Sequence, residues 1–78
     1  MSILTIKKSK SATDISFEEN KMIIFFEDGR ELSVPLEWFP RLRDASASQL
    51  YKWRFIGNGE GIHWSELDED ISIENLLE

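Results

Sequence analysis

Met22-Ile23-Ile24-Phe25-Phe26-Glu27-Asp28-Gly29-Arg30-Glu31-Leu32-Ser33-Val34-Pro35 is the stretch that decides the fold. Its first five residues are an unbroken apolar run of aromatic, branched and long side chains, the composition of a central strand covered on both faces. Asp28-Gly29 predicts a two-residue hairpin loop in which both positions take positive φ. Glycine does so freely and aspartate better than most residues. Beyond the loop, Leu32, Val34 and Leu36 alternate with Glu31, Ser33 and Glu37, the period of two that marks a half-buried strand. Pro35 has no amide hydrogen to give to a neighbour, so it belongs on an edge strand or at the strand's end.

Working toward the amino end, Ile15 and Phe17 alternate with Asp14, Ser16 and Glu18, and Asn20-Lys21 supplies a turn. Residues 12 to 37 therefore read as a three-stranded antiparallel meander. Before it, Ile3, Leu4 and Ile6 lead into Lys7, Lys8, Ser9, Lys10 and Ser11, so residues 1–11 form a short basic segment or strand, and residues 12–78 a single α+β domain.

Toward the carboxyl end, Pro40 stops regular helix from running through Trp38 and Phe39, which predicts an irregular corner over 37–43. Ser46 with Gln49 three residues later makes a capping box for a helix that continues through Ala47, Leu50, Tyr51 and Lys52, with Leu50 and Trp53 on one face. Phe55-Ile56 and Ile62-His63-Trp64 flank Gly57-Asn58-Gly59-Glu60-Gly61 as a second hairpin. Asp68-Glu69-Asp70 reads as a solvated turn, with Asp70 near the amino end of a final helix, Ile73 to Leu77, capped by Ser72. The expected architecture is α+β: a small antiparallel sheet, made of a three-stranded meander plus a second hairpin, with one or two short helices on one face.

Composition limits what such a chain can do. Its 78 residues support one modest core, and 41% hydrophobic with 31% charged residues is ordinary globular usage. No cysteine is present to form a disulfide, no apolar run approaches the ~20 residues needed to cross a bilayer, and the first ten residues lack the apolar stretch of a signal peptide. A cytoplasmic protein is the expectation. The net charge of −6 lies wholly in the second half: basic and acidic residues balance over 1–43, whereas 55–78 hold no Lys or Arg. That segment repels nucleic-acid phosphates and anionic lipid and attracts a cationic partner; its blander explanation is a solvated face that keeps a small domain soluble.

Several constellations bear on chemistry. His63 alternates with the apolar Ile62 and Trp64, which puts it on the outer side of its strand as a half-exposed histidine without a nucleophile beside it. Asp68-Glu69-Asp70 lacks the glycine and glutamate spacing of a calcium loop. The glycines at 57, 59 and 61 match neither phosphate-binding pattern and read as turn chemistry. Lys7, Lys8, Lys10, Arg41, Arg43, Lys52 and Arg54 could converge beside Trp38, Tyr51 and Trp53, as in single-strand nucleic-acid binders; the overall acidity argues against it, and arginines more often answer nearby carboxylates. Trp38-Phe39-Pro40, Trp53 and Trp64 are many large rings for a thin core. Tryptophan and arginine are enriched at binding hot spots, which makes Trp38 with Arg41 the anchor expected of an interface.

Four blocks in order and at characteristic spacing resemble a family of small bacterial proteins, domain of unknown function 2442. They are Phe26-Glu27-Asp28-Gly29-Arg30, Pro35-Leu36-Glu37-Trp38-Phe39-Pro40-Arg41-Leu42, Gly57-Asn58-Gly59-Glu60-Gly61-Ile62-His63-Trp64 and Asp68-Glu69-Asp70-Ile71-Ser72. The resemblance covers about residues 12 to 78. It implies an α+β fold, a bacterial cytoplasmic protein and, for some relatives, a following helix-turn-helix that this sequence lacks. It also implies a place in two-gene, toxin-antitoxin-like modules, and it carries no catalytic residue or cofactor.

The leading reading is a non-enzymatic protein-binding module, the antitoxin-like member of a pair, which meets a small basic protein through Trp38, Arg41, Glu66, Asp68, Glu69 and Asp70. No cofactor or metal is expected. A regulatory nucleic-acid binder using Arg41, Arg43 and Arg54 is the alternative, and a small metal-dependent enzyme around His63, Glu66, Asp68 and Asp70 the second alternative. An uncovered strand edge also points to a homodimer.

Overall fold

The computed structural model describes residues 10–77, so the expectation for residues 1–9 lies outside the described residues. Two antiparallel three-stranded sheets and short helical turns build an α+β fold. In the first sheet β1 (Ala12–Glu18), β2 (Lys21–Phe26) and β3 (Glu31–Pro35) lie in sequence order. Register places Ile15 beside Ile24, Phe17 beside Met22 and Met22 beside Val34, so one face carries the residues of the core cluster. A bulge between Ala12 and Asp14 shifts the alternation by one, which lets both Ala12 and Ile15 point inward. Pro35 closes β3, an edge strand, as its missing donor requires.

Ile23 and Phe25 alternate away from the core cluster and stand between Ser16 and Ser33 and between Asp14 and Glu31; Ile23 is nonetheless buried and Phe25 half-buried, so β2 is covered on both faces, as expected, but joins the core cluster through one only. Two details of this sheet differ from expectation. The first turn is Glu19-Asn20, with Glu19 at φ 50°, and Lys21 already pairs with Glu18 inside the ladder. In the second turn only Gly29 takes positive φ, at 95°, while its N–H donates to Phe26 C=O and the Phe26 N–H donates to Arg30 C=O. That bonding belongs to a three-residue loop ending in a left-handed glycine, not to a two-residue loop. Asp28 steadies it by accepting from the Arg30 N–H at 3.1 Å.

Past β3 the corner is more regular than expected. A 3-10 turn, Leu36–Trp38, ends at Phe39, and Pro40 opens α1 (Pro40–Arg43) at the one helical position where its missing N–H costs nothing. Ser46 and Gln49 form the predicted capping box at 3.0 and 3.1 Å. The helix it starts, α2 (Ala47–Leu50), is a single turn, because Trp53 is already in β4 (Trp53–Ile56), paired with Trp64. Trp53 therefore shares no helix face with Leu50.

The second hairpin, β4 with β5 (Gly61–Trp64), gains a third strand, β6 (Glu69–Ser72). Asp70 is thus a mid-strand residue paired with His63 and not part of a solvated turn. α3 (Ile73–Leu77) comes directly after it, its Asn75 N–H reaching Ser72 Oγ at 3.4 Å. Ile62, Trp64 and Ile71 of this sheet join Ile15, Met22, Ile24, Phe26 and Val34 of the first, with Leu36, Leu42 and Ile73, in one buried cluster. No described helix is long and apolar enough to cross a membrane.

Candidate functional site

The corner between the two sheets carries the first group of predicted site residues. Leu36 and Leu42 are buried and pin the 3-10 turn and α1 to the core, which turns Trp38 outward; it is 65% exposed. One turn on, Arg41 reaches across to the segment joining β5 and β6. Its Nη1 donates to the Asp68 carbonyl at 2.6 Å and to the Leu67 carbonyl at 3.4 Å, and stands 3.9 Å from Glu69 Oε1. A guanidinium spread over two carbonyls and a carboxylate fixes this connection more firmly than a lone surface ion pair does. Trp38 thus stands on a short segment locked to the acidic turn.

Asp68 sits at the tip of that turn with φ 51°, the left-handed region that non-glycine residues enter at a cost. Its side chain is exposed, and the Arg41 contact to its carbonyl holds the conformation. Asp68→Gly should leave the melting temperature unchanged or a few degrees higher, since relief of backbone strain offsets the entropy glycine loses. Asp68→Val should cost about 1–2 kcal/mol in denaturant unfolding, because a branched side chain fits this region worst. A Val variant as stable as the parent would show that the turn is not strained.

The remaining acidic residues diverge. Glu66 turns to Lys52 at 2.7 Å. Glu69 faces Arg41, and Asp70, one residue on, points to the other side of β6, where its carboxylate bonds His63 Nδ1. Trp38, Arg41, Asp68 and Glu69 are therefore brought to one corner, whereas Glu66 and Asp70 belong to different surroundings. Arg43 is bound to Asp44 through two hydrogen bonds of 2.9 and 3.1 Å, with Glu37 at 4.0 Å. The bond from Arg43 holds the Asp44 carboxyl below its ordinary range, and Asp44 in turn raises Arg43. Arg41 and Arg43 are both answered within the chain, as arginines near carboxylates usually are.

His63 is half-buried, on the outer side of β5 as its alternation predicts. Its contact with Asp70 arises because the β5–β6 register sets them opposite each other. In the sequence they are grouped only by closeness along the chain. Among the described residues no group of three or more His, Cys, Asp or Glu side chains is placed to hold a metal ion. Arg54, grouped in the sequence with Arg41 and Arg43, lies apart from them on the same outer face as His63, and Ile56 beside it on that face is the residue that sequence reasoning misses. The available signal is their alternation with Trp53 and Phe55, which face the core.

Comparison with known proteins gives three findings. A family model described as "Protein of unknown function (DUF2442)" matches residues 12–78. No curated protein matches the chain. A crystal structure of a protein of unknown function from Rhodospirillum rubrum is similar, with 29% sequence identity and a TM-score of 0.74 over 86% of this chain and 83% of that one.

Proposed function

The chain belongs to the DUF2442 family of proteins of unknown function, and from that premise we propose that it is a non-enzymatic protein-binding module, the acidic, antitoxin-like member of a two-protein pair. The observation that carries this reading is Trp38: a tryptophan 65% exposed, on a segment that Arg41 ties to the acidic turn. A large ring held out to solvent on a fixed backbone loses little entropy on binding and offers a hot-spot anchor. Exposed Asp68, whose carbonyl Arg41 holds, within a chain of net charge −6, selects a basic partner and speeds its approach.

The test is affinity capture of the tagged chain from its native host at low salt, with the co-purifying proteins identified by mass spectrometry. A single small basic protein should be recovered with it. Trp38→Ala should weaken the reconstituted complex by about 30-fold, the loss of one hot spot near 2 kcal/mol, and Asp68→Asn should chiefly slow association and flatten its salt dependence. Recovery of the chain alone at both low and high salt defeats the reading.

A further inference from the structure

Among the described residues, the outer face of the second sheet is exposed at Arg54, Ile56, Asp70 and Ser72 and half-buried at His63, and it is self-complementary. Alternation sends Arg54, Ile56, His63, Asp70 and Ser72 to that side, while Trp53, Phe55, Ile62, Trp64 and Ile71 go to the core. Register aligns Arg54, His63 and Asp70 in one row across β4, β5 and β6, and Ile56, Gly61 and Ser72 in the next. The first row is thus cationic at one edge and anionic at the other. Arg54 makes no ion pair within the described residues. In the second row Ile56 projects at one edge, 42% exposed. Toward the other edge lies a depression of about 380 Å³ bordered by Gly61, Asp70, Ser72 and Asn75, with Ile56 as its near wall.

We propose that two copies of this chain associate face to face through this sheet, about a two-fold axis running along β5. Such an axis lays β4 of one copy over β6 of the other. Arg54 then meets Asp70 of the second copy, twice by symmetry, and each Ile56 faces the other copy's depression beside Ser72. An isologous interface demands that one patch complement itself in charge and shape, and these two rows do both. The reversed axis, across the strands, would set Arg54 on Arg54 and Asp70 on Asp70 and is disfavoured. Three four-residue strands present an area below the ~800 Å² per partner of a standard interface, so the dimer is reversible and concentration-dependent. This surface is separate from the Trp38 corner, because Glu69, which faces Arg41, and Asp70 point to opposite sides of β6.

Sedimentation velocity on the full chain, from micromolar to millimolar at low salt, should show a monomer–dimer equilibrium that weakens as salt rises. Arg54→Asp, which leaves the His63–Asp70 contact in place, should raise the dissociation constant at least about tenfold, and so should Asp70→Arg. The double exchange, Arg54→Asp with Asp70→Arg, should return it to within about threefold of the parent. Ile56→Lys should also weaken association, with unchanged circular dichroism confirming the fold of each variant. A chain monomeric throughout the range overturns the proposal, as does a dimer indifferent to Arg54→Asp and Ile56→Lys.

Discussion

Gly59→Ala should destabilise the domain by at least about 3 kcal/mol and lower its melting temperature by more than about 12 °C. Two costs coincide at this position. Gly59 lies at φ 78°, where an L side chain is strained by about 1–2 kcal/mol. An added Cβ would also overlap the carbonyl oxygen of Ala12 and stand 2.7 Å from its nitrogen. Those atoms are backbone and cannot rotate away. The same approach carries a hydrogen bond of 2.9 Å from the Ala12 N–H to the Gly59 carbonyl, joining β1 of the first sheet to the β4–β5 loop of the second. Moving the strand aside to admit the methyl group breaks that bond and parts the sheets where their common core begins. For a domain of this length the whole stability is only about 4–12 kcal/mol, so the variant should be partly unfolded near physiological temperature.

Gly29→Ala separates the two costs. Gly29 also has positive φ, at 95°, but nothing lies within 4 Å of the position its Cβ would take. Only the conformational cost remains, about 1–2 kcal/mol. Urea unfolding of both variants should therefore give a Gly59 loss at least about 1 kcal/mol larger than the Gly29 loss. Equal losses would mean that the junction with Ala12 yields without cost, and the rigid joining of the sheets at that point would have to be abandoned.

The contrast bears on what a sequence can display. Met22 to Phe26 and the alternation of Leu32 and Val34 announce the first meander because each residue's own character matches its place. The capping box of Ser46 and Gln49 is visible for the same reason: both its bonds close within four residues. β6 is hidden because Glu69, Asp70 and Ser72 are poor strand formers and Ile71 alone gives no periodicity. It exists because β5 offers it a ladder in which Ile71 packs beside Ile62. The single turn of α2 is likewise decided from afar, by the pairing of Trp53 with Trp64. At the candidate site, the exposure of Trp38 follows from an excess of rings over core. The grip of Arg41 on carbonyls 26 and 27 residues away does not, since a backbone carbonyl has no letter in the sequence.

Trp64→Ala should be the second large loss, about 3–5 kcal/mol, and Trp64→Phe should cost about 1–3 kcal/mol with a distinct local signature. Trp64 is wholly buried in the cluster that both sheets share. Its removal leaves a cavity that the ladders on either side of β5 prevent from collapsing, because Trp64 pairs with Trp53 on one side and Glu69 on the other. Phenylalanine keeps most of the volume but loses the indole N–H, which donates to the Leu50 carbonyl at 2.9 Å. That bond ties the one-turn α2 helix to the second sheet, and a single turn has little stability of its own. In the Phe variant, amide exchange should therefore quicken at Leu50, Tyr51 and Lys52, whose N–H groups close the turn, more than at Ile24 in the central strand of the first sheet. Uniform quickening would mean that Trp64 contributes bulk alone. Selective loosening would mean that the indole bond holds the segment leading into β4, and with it the seat of Arg54 and Ile56 on the outer face.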